Sequence, residues 1–212
     1  MSQHVNVTTQ GLSLEMKRKL KGHIEEIKLG LANLYRNIDR ENDCLLCEFE
    51  SLNSAFREAH TMAATYYLRT YLLPFTDNHL AITLAVQHLS ERRHGALMVV
   101  ERNDRIDDIV HSGIPVGATL THSLLESIFY PGGPLHDGAV LIKSNLIVSA
   151  SNVLPVSTTF AGESKLGTRH RAAIGLSEHS DALVLVVSEE TGNASFALGG
   201  KLYPFSAQQF AP

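Results

Sequence analysis

Two arginines and a histidine stand in succession at the predicted start of a helix. The segment reads Gly162-Glu163-Ser164-Lys165-Leu166-Gly167-Thr168-Arg169-His170-Arg171, with Thr168 as the predicted N-cap of that helix. The N-terminal end of a helix carries roughly half a positive charge, so each cation there is disfavoured by about 0.3–1 kcal/mol. A bound anion makes the same arrangement favourable, because the free amides, the helix dipole and the two guanidiniums then all attract the anion. The pattern predicts a polyphosphate site at this helix start.

Two other interpretations of this segment have to be weighed. Arg169 and Arg171 could point into solvent or pair with acidic neighbours, because successive helical residues point in different directions. Gly162 and Gly167 also fit the G-x-x-x-x-G part of a P-loop, but Thr168 stands where that loop requires lysine. The sequence therefore disfavours a P-loop NTPase and leaves the solvated arrangement open.

A carboxylate lies between a Pro/Gly-rich break at residues 130–134 and a predicted buried strand. Here Asp137 is followed by two small residues, Gly138 and Ala139, which leave space for a bulky ligand. A carboxylate held at a strand end can accept a hydroxyl proton or hold a divalent ion, and nucleotidyl transfer uses both. His136 could ligate the same ion, although a lone histidine is more often structural. The alternative for Asp137 is an ordinary Asx turn, which is common for Asp-Gly.

Weaker candidates for chemistry lie elsewhere in the chain. Ser188, Glu189 and Glu190 follow the most hydrophobic predicted strand, and sites in α/β proteins gather at such strand ends. Their hydroxyl could bind phosphate and a carboxylate could bind metal, but an ordinary turn fits equally well. Cys44 and Cys47 have the spacing of half a zinc site, but the second half is missing from the sequence.

Composition narrows the class of protein. The 212 residues are 44% hydrophobic and 19% charged, with a net charge of -4, which indicates a globular protein with a real core. That charge disfavours a protein coated in nucleic acid. The apolar runs are far shorter than the roughly 20 residues that span a bilayer, and residues 1–6 lack the pattern of a secretory signal. We expect a cytoplasmic protein that binds neither nucleic acid nor membrane.

The elements that must position these residues fall into two parts. Two series of apolar residues have heptad spacing and predict an antiparallel helical hairpin over residues 1–74, with Ser13 as a possible first cap and Pro74 as the end. The series are Leu20, Ile24, Ile27, Leu31, Leu34 and Ile38, then Leu45, Phe49, Leu52, Phe56, Ala59, Ala63 and Tyr66. Because two helices enclose little core, the hairpin should also pack on its own C-terminal domain or on another copy.

The remaining residues, 75–212, alternate between helical and strand periodicity. Helices are predicted from Asp77 to about Arg93, from Thr119 to Phe129 and from Thr168 to about His179. Strands are predicted at residues 95–100, 139–142, 146–153, 182–188 and 194–198. Interleaved helices and strands with hairpins among them predict an α/β fold, a mixed central sheet flanked by helices.

Taken together, residues 75 to 205 resemble the diadenylate cyclase domain family. Its two signature motifs, an Asp-Gly-Ala element and an Arg-His-Arg element about thirty residues later, stand here as residues 137–139 and 169–171. The flanking residues 132–136, 167–168 and 187–192 fit as well. The resemblance implies an enzyme that condenses two ATP molecules into cyclic di-AMP and releases two pyrophosphates.

The resemblance also implies roles for individual positions. Asp137 would activate the 3′-hydroxyl of one ATP for attack on the α-phosphate of the ATP held by a facing protomer. Positions bordering the ribose and adenine are Gly138, Ala139 and Leu154. Positions handling phosphates are Gly167, Thr168, Arg169, His170, Arg171 and Ser188. Mn²⁺ or Mg²⁺ would be held by His136, Asp137 and Glu189.

The N-terminal hairpin resembles that of the short, soluble, sporulation-type cyclases, where it restrains activity and shapes the oligomer. The implied assembly is a homo-oligomer with facing catalytic domains, either a dimer or a higher oligomer such as a hexamer. Two alternative functions stay open on the residues alone: a catalytically silent nucleotide sensor that uses the same pocket, and a phosphohydrolase.

Overall fold

The computed structural model describes residues 14–38, 44–111, 113–158 and 166–207. The chain divides into two compact units, and the division falls between Thr70 and Tyr71. The proposed functional boundary at residue 74 stays a prediction.

The first unit is built from two long helices, α1 (Leu14–Asn37) and α2 (Leu45–Leu72), of which α2 runs just past the division. Their heptad series supply a small shared core of Ile27, Leu34 and Leu52. Other members of the same series remain exposed, namely Ile24, Leu31, Ile38, Phe49 and Phe56. The hairpin therefore buries only part of its apolar surface within itself. The predicted cap at Ser13 lies outside the described residues, and Cys44 forms a disulfide with Cys47 at the start of α2.

The second unit is a seven-stranded sheet with the order β2-β4-β3-β1-β5-β6-β7. Its helices are α3 (His79–Arg92), α4 (His122–Ile128) and α5 (Thr168–His179). Its strands are β1 (Ala96–Val100), β2 (Ile114–Thr119), β3 (Ala139–Lys143), β4 (Leu146–Asn152), β5 (Leu183–Val187), β6 (Ala194–Leu198) and β7 (Lys201–Phe205). Strands β1 and β3 are parallel, and every other neighbouring pair is antiparallel. The predicted α/β fold with a mixed sheet is confirmed.

The core surrounds the central strands. All five residues of β1 and all five of β5 are buried, so these strands are covered on both faces, as their continuous apolar sequences require. On one face, Val99 and Val184 cluster with Ala173 and Leu176 of α5. This packing fixes the position of α5, and therefore of its first turn, relative to the strands.

Three predicted boundaries were wrong. Asp77 does not cap α3, because its carboxylate accepts from Asn145 Nδ2 at 3.0 Å, and the N-cap is Asn78. The second helix does not begin at Thr119, which ends β2; it is capped by Thr121, whose Oγ1 accepts from the amide of Leu124 at 3.2 Å.

The third correction concerns α5. Gly167 is the N-cap, and Thr168 is the first helical residue. Strands β2 and β7 were not predicted at all. Among the described residues, no helix combines the length and apolar character needed to cross a membrane.

Candidate active site

The predicted site residues lie at one end of the strands of the sheet. Because β1 and β3 are parallel, their first residues lie at the same end, which places Asp137 and Gly138 near Gly95. Because β5 is antiparallel to β1, its last residue, Val187, pairs with Ala96, the first residue of β1. The last residues of β4 lie at the same end, since Asn152 pairs with Ala139. The starts of β1 and β3 and the last residues of β4 and β5 therefore lie together at this end of the sheet.

Asp137 and His136 lie on the loop that enters β3. The side chain of Asp137 is exposed, and no other described residue hydrogen-bonds to its carboxylate. The ring of His136 contacts the carbonyl of Gly133 through Nδ1 at 2.5 Å. A carbonyl only accepts, so in the neutral tautomer that fits this contact Nδ1 carries the proton and the lone pair is on Nε2. Nε2 of His136 and the carboxylate of Asp137 are therefore both able to accept a proton or bind a metal ion.

The backbone around Gly138 explains why a glycine follows Asp137. Gly138 has φ +93°, and a Cβ placed there would lie 2.8 Å from the carbonyl oxygen of Asn152. The close approach is held by Asn152 itself, which is buried and donates through Nδ2 to the carbonyl of Ala139 at 2.7 Å. The Oδ1 of Asn152 accepts from the hydroxyl of Ser149 at 2.9 Å. This network fixes the start of β3, and Asp137 immediately before it.

The first turn of α5 offers donors to an anion. Gly167 has no side chain with which to cap the helix, and the first backbone bond runs from the amide of Arg171 to the carbonyl of Gly167. The amides of residues 168–170 precede that bond, and amides in this position have no partner within the helix. The first turn also contains no acidic residue. An anion docked at α5 would meet these amides and the positive end of the helix dipole.

Arg169 links the start of α5 to the residues that follow β5 and precede β1. Its Nη1 lies 2.8 Å from Oε2 of Glu189, so the predicted phosphate ligand and the predicted metal ligand form an ion pair with each other. A Cβ at Gly95 would lie 2.6 Å from the same Nη1, so the absence of a side chain at Gly95 makes room for the guanidinium. The Nε atoms of Arg169 and Arg171 are both buried without an acceptor among the described residues. Two buried guanidinium donors without acceptors are what a phosphate would satisfy.

Sequence comparisons identify the family of this chain. The sequence model described as DisA bacterial checkpoint controller nucleotide-binding matches residues 83–202, and that described as Diadenylate cyclase CdaS, N-terminal, matches residues 7–75. The chain belongs to the diadenylate cyclase family. Membership inferred from the two motifs is therefore confirmed.

Similar proteins cover nearly the whole chain. The protein named Diadenylate cyclase CdaS from Bacillus thuringiensis (strain BMB171) is 54% identical over 92% of this chain and 98% of its own length. Cyclic di-AMP synthase CdaS from Bacillus subtilis (strain 168) is 45% identical over 89% and 90%. Among solved structures, a protein from Bacillus cereus titled a hypothetical membrane spanning protein is 54% identical, with a TM-score of 0.73 and 91% of this chain covered. DacA from Staphylococcus aureus is 41% identical, with a TM-score of 0.59 over 63% of this chain.

His170, the middle residue of the second motif in this cyclase-family chain, is half-buried. Burial and the neighbouring Arg169 guanidinium lower the pKa of its imidazole, and Glu190 only partly opposes them. Its ring is therefore neutral at pH 7, so His170 offers a hydrogen bond rather than a third full positive charge.

The positions predicted to border the nucleoside and the phosphates differ in exposure. Ala139 and Leu154 are buried in the core cluster under α5, whereas Gly167 and Thr168 are exposed. Ser188 is partly exposed and opens a turn, since its Oγ accepts from the amide of Thr191 at 3.3 Å. Its hydroxyl proton stays available for a phosphate oxygen.

The predicted metal ligands do not form a ready cluster within one chain. Among the described residues, the one group of three or more potential ligands within 4.8 Å of one another consists of His88, His122 and Glu126. Glu189 instead faces Arg169, and Asp137 lies at the entrance of β3. Mg²⁺ in nucleotide sites commonly takes only one or two carboxylates and completes its shell with phosphate oxygens and water. Asp137, with Nε2 of His136 nearby in sequence, fits that smaller requirement.

Sequence reasoning missed two residues that support the site. Gly95 precedes a buried strand, and its position before that strand was the available signal. Asn152 is a polar residue at the end of an otherwise apolar strand, which could have indicated a buried hydrogen-bonding role.

Proposed function

We propose that this chain is a diadenylate cyclase that condenses two ATP molecules into cyclic di-AMP and two pyrophosphates. The observation that carries the proposal is that an exposed carboxylate, Asp137, lies at the same end of the sheet as the Arg169–Glu189 ion pair, and that Arg169 and Arg171 at the start of α5 each have a buried Nε without an acceptor among the described residues. Membership in the diadenylate cyclase family supports it, as do relatives named diadenylate cyclase and cyclic di-AMP synthase.

Asp137 is the general base in this proposal. Its carboxylate accepts the proton of the ribose 3′-hydroxyl while that oxygen forms a bond to the α-phosphorus of the second ATP. The bond between that phosphorus and the oxygen bridging to the β-phosphate breaks, and pyrophosphate leaves with the electron pair. The same step repeated with the two nucleotides exchanged closes the ring. No oxidant or further reactant is needed.

The start of α5 holds the triphosphate. The amides of residues 168–170 and the guanidiniums of Arg169 and Arg171 bind phosphate oxygens, and neutral His170 adds a hydrogen bond. These donors also stabilise the charge that develops on the leaving pyrophosphate. Gly138 borders the nucleoside in this proposal, and the hydroxyl of Ser188 contacts a phosphate from the end of β5.

A divalent ion, Mn²⁺ or Mg²⁺, would supply charge neutralisation between the phosphates when bound. Asp137 and His136 are the residues proposed to hold it, and Glu189 is available once phosphate has taken its place on Arg169. The exposed carboxylate of Asp137 and the lone pair on Nε2 of His136 support this assignment.

Two chains are needed for one product. Each chain contains a single base and a single phosphate-binding helix start, whereas the reaction joins two nucleotides symmetrically. A two-fold arrangement in which the sites of two protomers face each other satisfies this requirement. The proposed active assembly is therefore a homo-oligomer built from such facing pairs.

Product analysis of the Asp137→Asn variant tests the function. The full chain is incubated with ATP and Mn²⁺, and the products are resolved by mass. We expect cyclic di-AMP from the natural sequence and none from Asp137→Asn, which still binds ATP because it retains Arg169 and Arg171.

The matched control is Asp108→Asn, the same substitution at an exposed aspartate on the turn before β2, and it should form product at the natural rate. Unchanged ATP with the natural sequence would instead indicate a nucleotide sensor, and ADP or AMP a phosphohydrolase. Normal turnover by Asp137→Asn would remove Asp137 from the role of base.

A further inference from the structure

A second group of metal-ligand side chains lies on α3 and α4, outside the residues assigned to the reaction. His88 belongs to α3, and His122 and Glu126 belong to α4. Oε1 of Glu126 lies 2.8 Å from Nδ1 of His88 and 3.4 Å from Nδ1 of His122. One ligand atom from each of the three residues falls within 4.8 Å of the other two. Three side chains thus direct donors at one point between two helices.

The helix geometry brings these donors together. His122 and Glu126 are four residues apart on α4, so their side chains lie on the same face. Helix α3 contributes His88 from across the α3–α4 contact, and its ring meets that of His122 edge-on with centroids 5.9 Å apart. The set therefore depends on the tertiary packing of α3 against α4 and is absent from either helix alone.

We propose that His88, His122 and Glu126 bind a Zn²⁺ ion. Two imidazoles and one carboxylate are a ligand set that zinc takes in proteins, usually with a water molecule in the fourth position. With zinc–ligand bonds of about 2.0–2.2 Å, neighbouring donors of a tetrahedral site stand roughly 3.3 Å apart. The separation of 3.4 Å between Glu126 and His122 fits this value. The separation of 2.8 Å between Glu126 and His88 is a hydrogen bond, which opens by about half an ångström when zinc replaces the shared proton.

The carboxylate of Glu126 is prepared for this role. Its side chain is only 15% exposed, and Nη1 of Arg92 holds its other oxygen, Oε2, at 2.8 Å. Although burial opposes it, hydrogen bonds with His88 and Arg92 keep the pKa of the Glu126 carboxyl below its ordinary value, so the group is charged at neutral pH. Arg92 therefore acts as an outer partner that orients the ligand and leaves Oε1 for the metal, an arrangement common around metal sites.

An ordinary charged cluster is the competing interpretation. A carboxylate surrounded by two histidines and an arginine is also a stable hydrogen-bonded group without any ion. The two interpretations differ in one measurable respect, which is whether the three side chains act together on a metal. An ion bound there would join α3 to α4, and α4 leads directly into residues 129–137, which end at Asp137. Zinc would then stabilise the catalytic unit by mass action.

Calorimetric titration of the full-length, tag-free chain with Zn²⁺ is the direct test. We expect one zinc ion per chain to bind at this cluster, and His88→Gln, His122→Gln and Glu126→Gln each to weaken that binding by at least about 100-fold, since loss of even an outer partner weakens metal sites by roughly 10–100-fold. His179→Gln, at an exposed histidine in the last turn of α5, is the matched control and should leave the affinity unchanged.

The same titration on Asp137→Asn separates this ion from one at the active site. Binding retained in Asp137→Asn and lost in Glu126→Gln supports the proposal. Binding retained in all three cluster variants, lost only in Asp137→Asn, or absent from the natural chain overturns it. A melting temperature that rises with Zn²⁺ in the natural chain and not in His88→Gln would show that the variant folds and that its loss is specific to the metal.

Discussion

Arg169 is the predicted ligand of a phosphate and Glu189 the predicted ligand of a metal ion, yet they form an ion pair with each other in this structure. Such a pair keeps the guanidinium beside Gly95 and prevents it from extending into solvent. Of the alternatives that the sequence left open, pairing with an acidic neighbour is adopted by Arg169, while Arg169 and Arg171 are both partly buried and have buried Nε atoms. The side chains of the second motif are thus held where a polyphosphate could meet them.

His170 makes the stability of the chain depend on pH. Its pKa is lowered by burial and by Arg169, so between the ordinary value of 6.5 and the lower folded value the unfolded chain binds more protons. Stability should therefore fall as the pH drops through this range, and should be unaffected by His170 above it. We expect His170→Gln to flatten this part of the curve of unfolding free energy against pH.

Denaturant titrations from pH 7.5 to pH 5 would measure the effect, with His179→Gln on the exposed end of the same helix as the comparison. Curves of equal slope for the natural chain and His170→Gln would contradict the assigned protonation state.

Among the elements, the link between β3 and β4 is the part of the fold on which the position of Asp137 most depends. Asn152 supplies that link from the end of β4, through its bonds to Ala139 and Ser149. Asn152→Ala would leave the carbonyl of Ala139 and the hydroxyl of Ser149 unsatisfied in the interior. We expect the unfolding free energy to fall by about 2 kcal/mol and the turnover number to fall with it, because the start of β3 loosens.

Asn103→Ala is the matched control for this substitution. Asn103 also donates through Nδ2, to Asp181 at 2.8 Å, but it is exposed. Its loss should change stability by no more than about 0.5 kcal/mol. If the two substitutions lowered the unfolding free energy equally and left turnover unchanged, Asn152 would not be needed to hold the start of β3.

The sequence predicted the interior strands and missed the two edge strands, for a physical reason. Strands β1 and β5 are buried on both faces and read as continuous apolar runs. Strand β2 contains Pro115 and Gly117 and is largely exposed, while β7 contains Pro204 and follows Gly199 and Gly200. Proline is tolerated at a sheet edge because the outer side makes no ladder bonds, but it removes the strand signal from the sequence.

The residue types alone indicated each of the two site motifs, whereas the placement of both motifs at the same end of the sheet could not be predicted. Arg169 at a helix start and Asp137 before a strand each suggested chemistry. Their convergence depends on the strand order and on β1 and β3 being parallel, which no local pattern encodes. The supporting contact of Gly95 with Arg169 depends on the same long-range arrangement.

For the molecule as a whole, the hairpin raises the question of what covers its apolar residues. Within the first unit, Ile24, Leu31 and Phe49 are between 47% and 56% exposed, although they belong to the same heptad series as the buried Ile27 and Leu34. A regular series that is half covered within one chain is typical of helices that associate with further helices. We therefore expect the hairpins of neighbouring chains to pack together in the proposed homo-oligomer.

The combined variant Ile24→Gln, Leu31→Gln and Phe49→Gln tests this association. Each of these side chains contributes about 1.5–3 kcal/mol if fully buried between chains, so the variant should have a lower mass in light scattering than the natural chain. If the hairpin also restrains the enzyme, formation of cyclic di-AMP should become faster.

Leu46→Gln removes an exposed leucine from outside the series and should alter neither the mass nor the rate. A combined variant with the natural mass and the natural rate would argue against both roles of the hairpin.

The ion pair between Arg169 and Glu189 has a consequence for how an anion first meets this protein. The chain carries a net charge of -4, and the guanidinium of Arg169 is already paired with the carboxylate of Glu189. Little attraction therefore extends into the surrounding water, beyond the Debye length of about 8 Å at physiological salt. In the proposed reaction, capture of ATP at this surface would therefore depend on short-range contacts, formed after diffusion has delivered the nucleotide.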